Sequence, residues 1–418
     1  MGVKKTIPRR KKAETRRAPH VTISRADSRF DAARAVYIHI PFCKAKCYYC
    51  DFVSFPGYEA LHQDYVEALI TEISRAEPRG PIESIYFGGG TPTVLSDEQL
   101  SGILRAVFNQ FVVEPDGEIT VEANPGTVDT QKLRNLRRSG FSRLSLGIQA
   151  FDDETLARLG RIHSAAQALE AYHDTRKAGF QNISIDLMYG LPAQRLEDWR
   201  KTLDQAVRMG PEHASLYELS IEEGTKFAEM HKTGELEIPD EDARLEMYEA
   251  AIEALTGAGY EHYEVSNFAR PNCRSRHNQV YWRNEDYYGF GAGAARYLDG
   301  LRCTMTKSVA RYISDVRQGI DPVESCERLT GRALMGETIM LALRTSDGVD
   351  LKEFEHRFGL GLLEVYGKVV KSLREDGLIE LTGQEVNSCP TERMRLTHSG
   401  LLLANRVGAE FVEAPAQH

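Results

Sequence analysis

No stretch of this chain is apolar for long enough to cross a bilayer, and no apolar segment follows its basic start. Those absences predict a protein with neither a membrane span nor a secretory signal. An excess of basic charge is missing as well. The 418 residues carry a formal net charge of −9, which gives no general pull towards nucleic acid or an anionic surface. Internal repeats and long low-complexity linkers are absent. Cysteine is sparse: there are seven, three of them clustered and four scattered. An odd, uneven set of this kind in a long chain is not a disulfide framework. It implies a reducing, cytoplasmic setting with one thiol-based site, and it leaves Cys273, Cys303, Cys326 and Cys389 as small buried hydrophobes.

What is present allows a large fold. Apolar residues make up 42% of the chain, and its length suits one large α/β domain with a smaller one. Residues 1–34 contain KKTIPRRKKAETRR, strongly basic and without apolar residues at helical spacing, and read as a disordered tail. A solvated arm is favoured over a nucleic-acid or peripheral membrane contact. Few serines and no amphipathic stripe disfavour an organellar transit peptide.

From 35 to 270, short apolar runs alternate with amphipathic helical stretches. AVYIHI, SIYFGGG, EITVEANP, RLSLGIQ, NISIDLMYG and ASLYELS are the strand candidates, apolar on most successive positions as for strands covered on both faces. Six β–α units with right-handed crossovers predict a parallel sheet curled into a partial barrel. Chemistry in such folds collects where strands end. The cysteines follow the first predicted strand, the glycines the second, and Glu122, Gln149 and Asp186 lie at or near the ends of the next three. Residues 271–322 are aromatic and glycine-rich and read as a final strand, loops and a helix. Residues 323–418 read as three helices with a β-ribbon, a winged-helix-like α+β module that would cover the barrel's open end or meet a partner.

HIPFCKAKCYYCDF places Cys43, Cys47 and Cys50 within eight positions. A structural zinc wants four protein ligands. Three thiolates leave one iron of a [4Fe–4S] cluster open for substrate or cofactor. Zinc with His39 or another residue as fourth ligand, and three idle thiols, are the plainer readings. Lys44 and Lys46 favour thiolate and an anionic cluster, and Tyr48 and Tyr49 would shield it from water.

CKAKCYYC fits C-x3-C-x2-C and resembles the signature of the radical S-adenosylmethionine (SAM) enzymes, as does GGGTP one β–α unit later. From about residue 35 onward the chain is similar to the oxygen-independent coproporphyrinogen III oxidase-like branch, and within it to the HemW-type heme chaperones. The resemblance implies a radical SAM (β/α)6 partial TIM barrel, a [4Fe–4S] cluster, SAM chelated to the open iron and cleaved to a 5′-deoxyadenosyl radical, and heme. It implies metal ligation by Cys43, Cys47 and Cys50. It places Tyr37, Tyr49, Phe52, Gly88, Gly89, Gly90, Thr91, Glu122, Gln149, Arg161 and Asp186 around the cofactors. Glycines let the backbone approach a ligand. A carboxylate suits ribose hydroxyls, and a guanidinium suits the SAM carboxylate. Taken singly, Glu122 and Asp186 are also ordinary helix caps, Gln149 a loop partner and Arg161 an exposed ion pair.

The oxidases carry a fourth cysteine, in C-x3-C-x2-C-x-C, where this chain has Phe52, and an N-terminal segment that it lacks. RHNQVYW, residues 276–282, instead resembles the H-N-x-x-Y-W motif of the heme chaperones, with His277 as axial heme ligand and Tyr281 and Trp282 flanking the porphyrin. GAGAARY departs from that group, with Ala295 where a histidine is usual. Cys273 is a second ligand candidate. The expected function is a heme chaperone delivering heme to an acceptor hemoprotein, a respiratory one among the candidates, with flavodoxin or ferredoxin as electron donor and no nucleic acid. The alternatives are the oxidase itself and a zinc-stapled winged-helix DNA-binding protein. The net charge and the mixed charges of KSLREDGLIEL disfavour the last.

Overall fold

The computed structural model describes residues 32–386 and 389–412. Most of the basic tail and the side chain of Cys389 lie outside the described residues. Six strands, β1 (Ala35–Ile40), β2 (Ile82–Gly89), β3 (Val113–Ala123), β4 (Arg143–Gln149), β5 (Asn182–Tyr189) and β6 (His213–Glu218), pair in parallel and in sequence order. Helices between them cover the outer face. Two of these, Asp97–Gln110 and Ala165–Lys177, open on capping boxes at Ser96 and Ser164, and Thr130–Ser139 ends on the left-handed Gly140.

The barrel stays open. Antiparallel β7 (Glu261–Glu264) and β8 (Asn267–Ala269) extend it beyond β6. On the other side β9 (Tyr287–Phe290) pairs in parallel with β1, followed by antiparallel β10 (Ala295–Leu298), β11 (Leu301–Met305) and β12 (Val323–Arg328). Ala295 lies in β10. The segment read as a final strand plus loops thus contributes several strands and the short helix Arg276–Trp282.

The strands differ from the expectation of apolar runs on both faces. On β4, Leu144, Leu146 and Ile148 enter the helix-covered core, whereas Arg143, Ser145 and Gly147 point inward. The register carries the same alternation through Ser84 and Tyr86, Glu118 and Thr120, Ser184 and Asp186, and His213 and Ser215. The outer face is aliphatic and the inner face polar, a period of two. Inner groups find one another: Ser184 Oγ meets His213 Nδ1 at 2.8 Å, and Nε2 of that ring meets Tyr263 OH at 2.8 Å.

A second core gathers Met335, Ile339, Phe354, Tyr366, Val370, Met394 and Phe411. It joins helices Gly331–Ala342, Leu351–Phe358 and Leu362–Glu375 to a small sheet of β13 (Val349–Asp350), β14 (Ile379–Val386) and β15 (Cys389–Leu396), in the winged-helix-like arrangement expected. Its boundary shifts, because β12 belongs to the large sheet rather than to this module. Among the described residues the module contributes none to the wall of the cavity at the C-terminal ends of the strands. It packs against the β7–β8 turn, Arg274 and Asn284, through Val265 N–H to Arg344 O at 3.0 Å, Arg274 to Asp347 at 2.9 Å and Arg357 to the Asn284 carbonyl at 2.7 Å.

A second correction concerns cysteine. Cys303 and Cys326 are not separate buried thiols; they face each other on β11 and β12 and form a disulfide.

Candidate cofactor site

The loop after β1 returns on itself, with Phe55 N–H donating to Pro41 O at 2.8 Å and Cys43 N–H to Phe55 O at 3.3 Å. This folding presents Cys43, Cys47 and Cys50 to one side of a cavity of about 380 Å³ at the C-terminal ends of the strands. Each thiol has a polar neighbour. Cys43 Sγ lies 3.4 Å from Thr91 Oγ1, Cys50 Sγ 4.0 Å from Ser54 Oγ, and Arg161 Nη1 donates to Cys47 Sγ at 3.3 Å. Burial pushes the Cys43 and Cys50 thiols up.

The donor set fits a multi-iron cluster better than a single ion. A tetrahedral zinc holds each sulfur at about 2.3 Å, so its ligands must converge on one point. Zinc also wants a fourth protein ligand, whereas a [4Fe–4S] cluster takes three thiolates and leaves one iron open. His39 is not a spare fourth ligand. It is buried, with Nδ1 3.1 Å from Tyr37 OH and Nε2 3.0 Å from Val53 O.

Opposite the cysteines runs the glycine strip, where backbone alone fits. Gly89 has φ +110°, and a Cβ there would stand 2.6 Å from the His39 ring; a Cβ on Gly90 would stand 2.6 Å from the Phe42 carbonyl oxygen. Gly88 faces inward, over Tyr86, Tyr37 and Glu122. Gly89, Gly90 and Thr91 line the cavity with Glu122, Gln149, Arg161 and Asp186. Glu122 accepts from Tyr86 OH at 2.7 Å; desolvation by burial pushes its carboxyl up to about 7 against that hydrogen bond. Asp186 accepts from Ser145 Oγ at 3.1 Å, and burial pushes it up too. Arg161 Nη2 donates to Gly147 O at 2.5 Å, while its buried Nε has no partner, so the guanidinium retains donor capacity at the cavity wall. Gln149 holds φ +70°, a left-handed conformation at a register shift between β4 and β5.

Tyr49 and Phe52 also line this cavity, Tyr49 packing near Phe227 and Phe52 65% exposed at the mouth. Tyr37 is not on the wall but lies beneath it, bonded to His39. Sequence reasoning missed Gly147, Met188 and Tyr217, which also face the cavity. Each stands two residues from an inward polar position on its own strand, so the alternation would have found them.

His277 lies apart from all of these. Helix Arg276–Trp282 closes the N-terminal end of the barrel, held by Arg276 N–H to Glu118 Oε1 at 3.1 Å. The His277 ring is 1% exposed, with Nδ1 3.0 Å from Ser84 Oγ and Nε2 2.8 Å from Tyr281 OH, stacked on Tyr86 at 5.0 Å. Burial, then the Arg143 charge, push it down to about 3. Both nitrogens are engaged, so in this arrangement the ring is not an open iron ligand. Trp282 faces Arg344 of the C-terminal module.

Comparison with known proteins agrees with this architecture. Residues 37–206 match the radical SAM superfamily and residues 329–403 the HemN C-terminal domain. The chain is 36% identical to the heme chaperone HemW of Bacillus subtilis, over 91% of this chain and 99% of that protein. It belongs to the HemW family of radical SAM proteins. HemW of Lactococcus lactis is 37% identical over 90% of this chain and 97% of its own. The fold matches that of coproporphyrinogen III oxidase (HemN) from Escherichia coli, with a TM-score of 0.78 and 24% identity, covering 93% of this chain and 92% of the other. The α/β radical SAM fold and its C-terminal module are thus those of the HemN-like branch. Among the described residues no helix is long and apolar enough to cross a membrane.

Proposed function

We propose that this HemW-family chain is a heme chaperone that holds a [4Fe–4S] cluster on Cys43, Cys47 and Cys50, binds SAM beside it, binds heme and delivers it to an acceptor hemoprotein. The observation that carries the reading is one cavity with three thiols on one side, a glycine backbone strip on another and Glu122, Gln149, Arg161 and Asp186 around it. When bound, the cluster would supply an electron and an open iron to a chelating ligand. The chain's own residues do the rest. Gly89 and Gly90 admit a ligand close to backbone. Arg161 offers its unpartnered Nε, and Glu122 and Asp186 offer carboxyl oxygens to hydroxyls. Flavodoxin or ferredoxin would be the electron donor, in the cytoplasm.

The heme ligand is assigned differently from the sequence expectation. His277 is pinned on both nitrogens, whereas Cys273 in the same segment is a free, partly exposed thiol. The likeness of fold to HemN keeps the oxidase as a second reading; Phe52 in place of the oxidases' fourth cysteine disfavours it.

Anaerobic reconstitution followed by heme transfer to an apo-hemoprotein tests the proposal. About four irons and four sulfides per chain are expected, with heme passed on and no protoporphyrinogen IX formed from coproporphyrinogen III and SAM. Stoichiometric zinc without sulfide refutes the cluster, and protoporphyrinogen IX formation replaces chaperone with oxidase.

A further inference from the structure

The pairing of β11 with β12 brings together two cysteines that the cofactor site does not use. Cys303 stands directly opposite Cys326 in antiparallel register, with Cα atoms 4.1 Å apart. Side chains on directly opposed antiparallel positions share one face of the sheet. The two residues differ in access. Cys303 is 2% exposed, whereas Cys326 is exposed on β12, the edge strand of the sheet. A small reagent can therefore reach one sulfur from solvent and the other only through the first.

The neighbours tie this pair to the joint between the two cores. Arg302, next to Cys303, reaches Glu327 on β12 at 3.1 Å and Glu337 in the first helix of the C-terminal module at 2.8 Å. Asn284 meets the same helix at Thr338 Oγ1, 3.1 Å away. An unfastened edge strand has hydrogen bonds on one side only. A covalent link at Cys326 fastens β12 just where the chain leaves the large sheet for helix Gly331–Ala342.

We propose that Cys303 and Cys326 are a thiol–disulfide exchange site whose oxidant is a small-molecule disulfide of the glutathione class, and that closing the bond clamps β12 at the joint with the C-terminal module. The Cys326 thiolate attacks one sulfur of the disulfide, forming a mixed disulfide and releasing one small thiolate, which takes up the proton that Cys326 lost. Cys303, deprotonated in turn, attacks the Cys326 sulfur and releases the second small thiol. Two protein thiols are oxidised by two electrons, and one small disulfide is reduced to two thiols. Excess small thiol reverses both steps. The assignment does not depend on heme or on the cluster.

The full-length chain is equilibrated anaerobically in glutathione buffers from fully reduced to fully oxidised, quenched by alkylation and digested with trypsin. Peptides 303–307 and 318–328 should lose their alkyl groups together, in one two-electron transition, and appear as one linked species that reduced glutathione reopens. Cys303→Ser should leave Cys326 carrying glutathione, whereas Cys326→Ser should leave Cys303 unmodified in the native protein. Amide exchange in 323–328 and 331–342 should be slower in the oxidised chain. Independent alkylation of the two peptides in every buffer overturns the proposal. So does a bond that persists in fully reduced glutathione, a Cys303→Ser chain whose Cys326 takes no glutathione, or amide exchange equal in the two states.

Discussion

Replacing His277 by alanine separates a pin from an iron ligand. The substitution removes two buried hydrogen bonds, to Ser84 Oγ and Tyr281 OH, and the ring stacked on Tyr86. Each bond contributes about 1 kcal/mol, and a buried hydroxyl left without a partner costs a further 1–3 kcal/mol or so. With the vacated ring volume, a loss of about 4 kcal/mol at pH 7.5 is expected. The sign of the pH dependence follows from the ring's folded value of about 3 against the ordinary 6.5. Below pH 6.5 the unfolded chain takes a proton at this residue that the folded chain refuses, so the wild-type protein loses stability as pH falls. By pH 5 this amounts to about 1.5 units at 1.36 kcal/mol each, or about 2 kcal/mol. The alanine chain is spared that loss. Its deficit relative to wild type should therefore shrink from about 4 to about 2 kcal/mol between pH 7.5 and pH 5. Paired urea titrations at the two pH values measure it, and heme titrations of the same two proteins should give the same spectrum and affinity. A pH-independent deficit refutes the buried neutral ring. An altered heme spectrum with little loss of stability makes His277 the ligand after all.

Two further substitutions address the cavity. Gly89→Ala forces a side chain at φ +110° against the His39 ring, and should cost about 2–4 kcal/mol in a denaturant titration and lower cluster retention; a stability within about 0.5 kcal/mol of wild type would show that the strip yields easily. Glu122→Gln keeps the acceptor for Tyr86 OH but loses the carboxylate; SAM affinity, read by equilibrium dialysis on the iron-loaded protein, should fall about tenfold or more above pH 7, where the carboxyl is ionised, and differ less at pH 6, with iron content unchanged. An identical ratio at both pH values would exclude the ionised form as the binding species.

The legible part of this site was local. Cys43, Cys47 and Cys50 lie in one loop, Gly88–Thr91 lie in one strand and its end, and spacing alone marks such groups. Glu122, Gln149 and Asp186 were legible because strand ends collect chemistry in a β/α barrel, and Arg161 only through the family resemblance. What the sequence hid depends on register. Ser84 and Tyr281 claim the nitrogens of His277 from 193 and 4 residues away, and nothing in RHNQVYW announces the distant serine. Cys303 and Cys326, 23 residues apart with a helix between them, meet only because β11 and β12 pair in one register. Slipping that pairing by one residue would put them on opposite faces. The alternation of polar and apolar positions was there to be read in RLSLGIQ and NISIDLMY, but leucine and isoleucine at every second place made the strands look apolar throughout.

That polar lining explains how protonation is arranged inside the barrel. Arg143 is 2% exposed, and its Nε has no partner. Burial opposes ionisation of Glu118 and Asp186, and the guanidinium opposes burial at both by favouring their charged forms. At His213 and His277 the same charge adds to burial, and both rings are held neutral. One buried cation thus acts with opposite sign on two kinds of group: it supports the carboxylates of Asp186, in the cavity wall, and Glu118, and suppresses imidazolium at His213 and His277. Neutral rings can then share hydrogen bonds with Ser84 and Tyr281 at His277, and with Ser184 and Tyr263 at His213, without leaving a second uncompensated positive charge in the interior. The two rings are thus held by neutral hydrogen bonds beside the buried Arg143 and Glu118, while the thiols stand with Arg161 at the cavity.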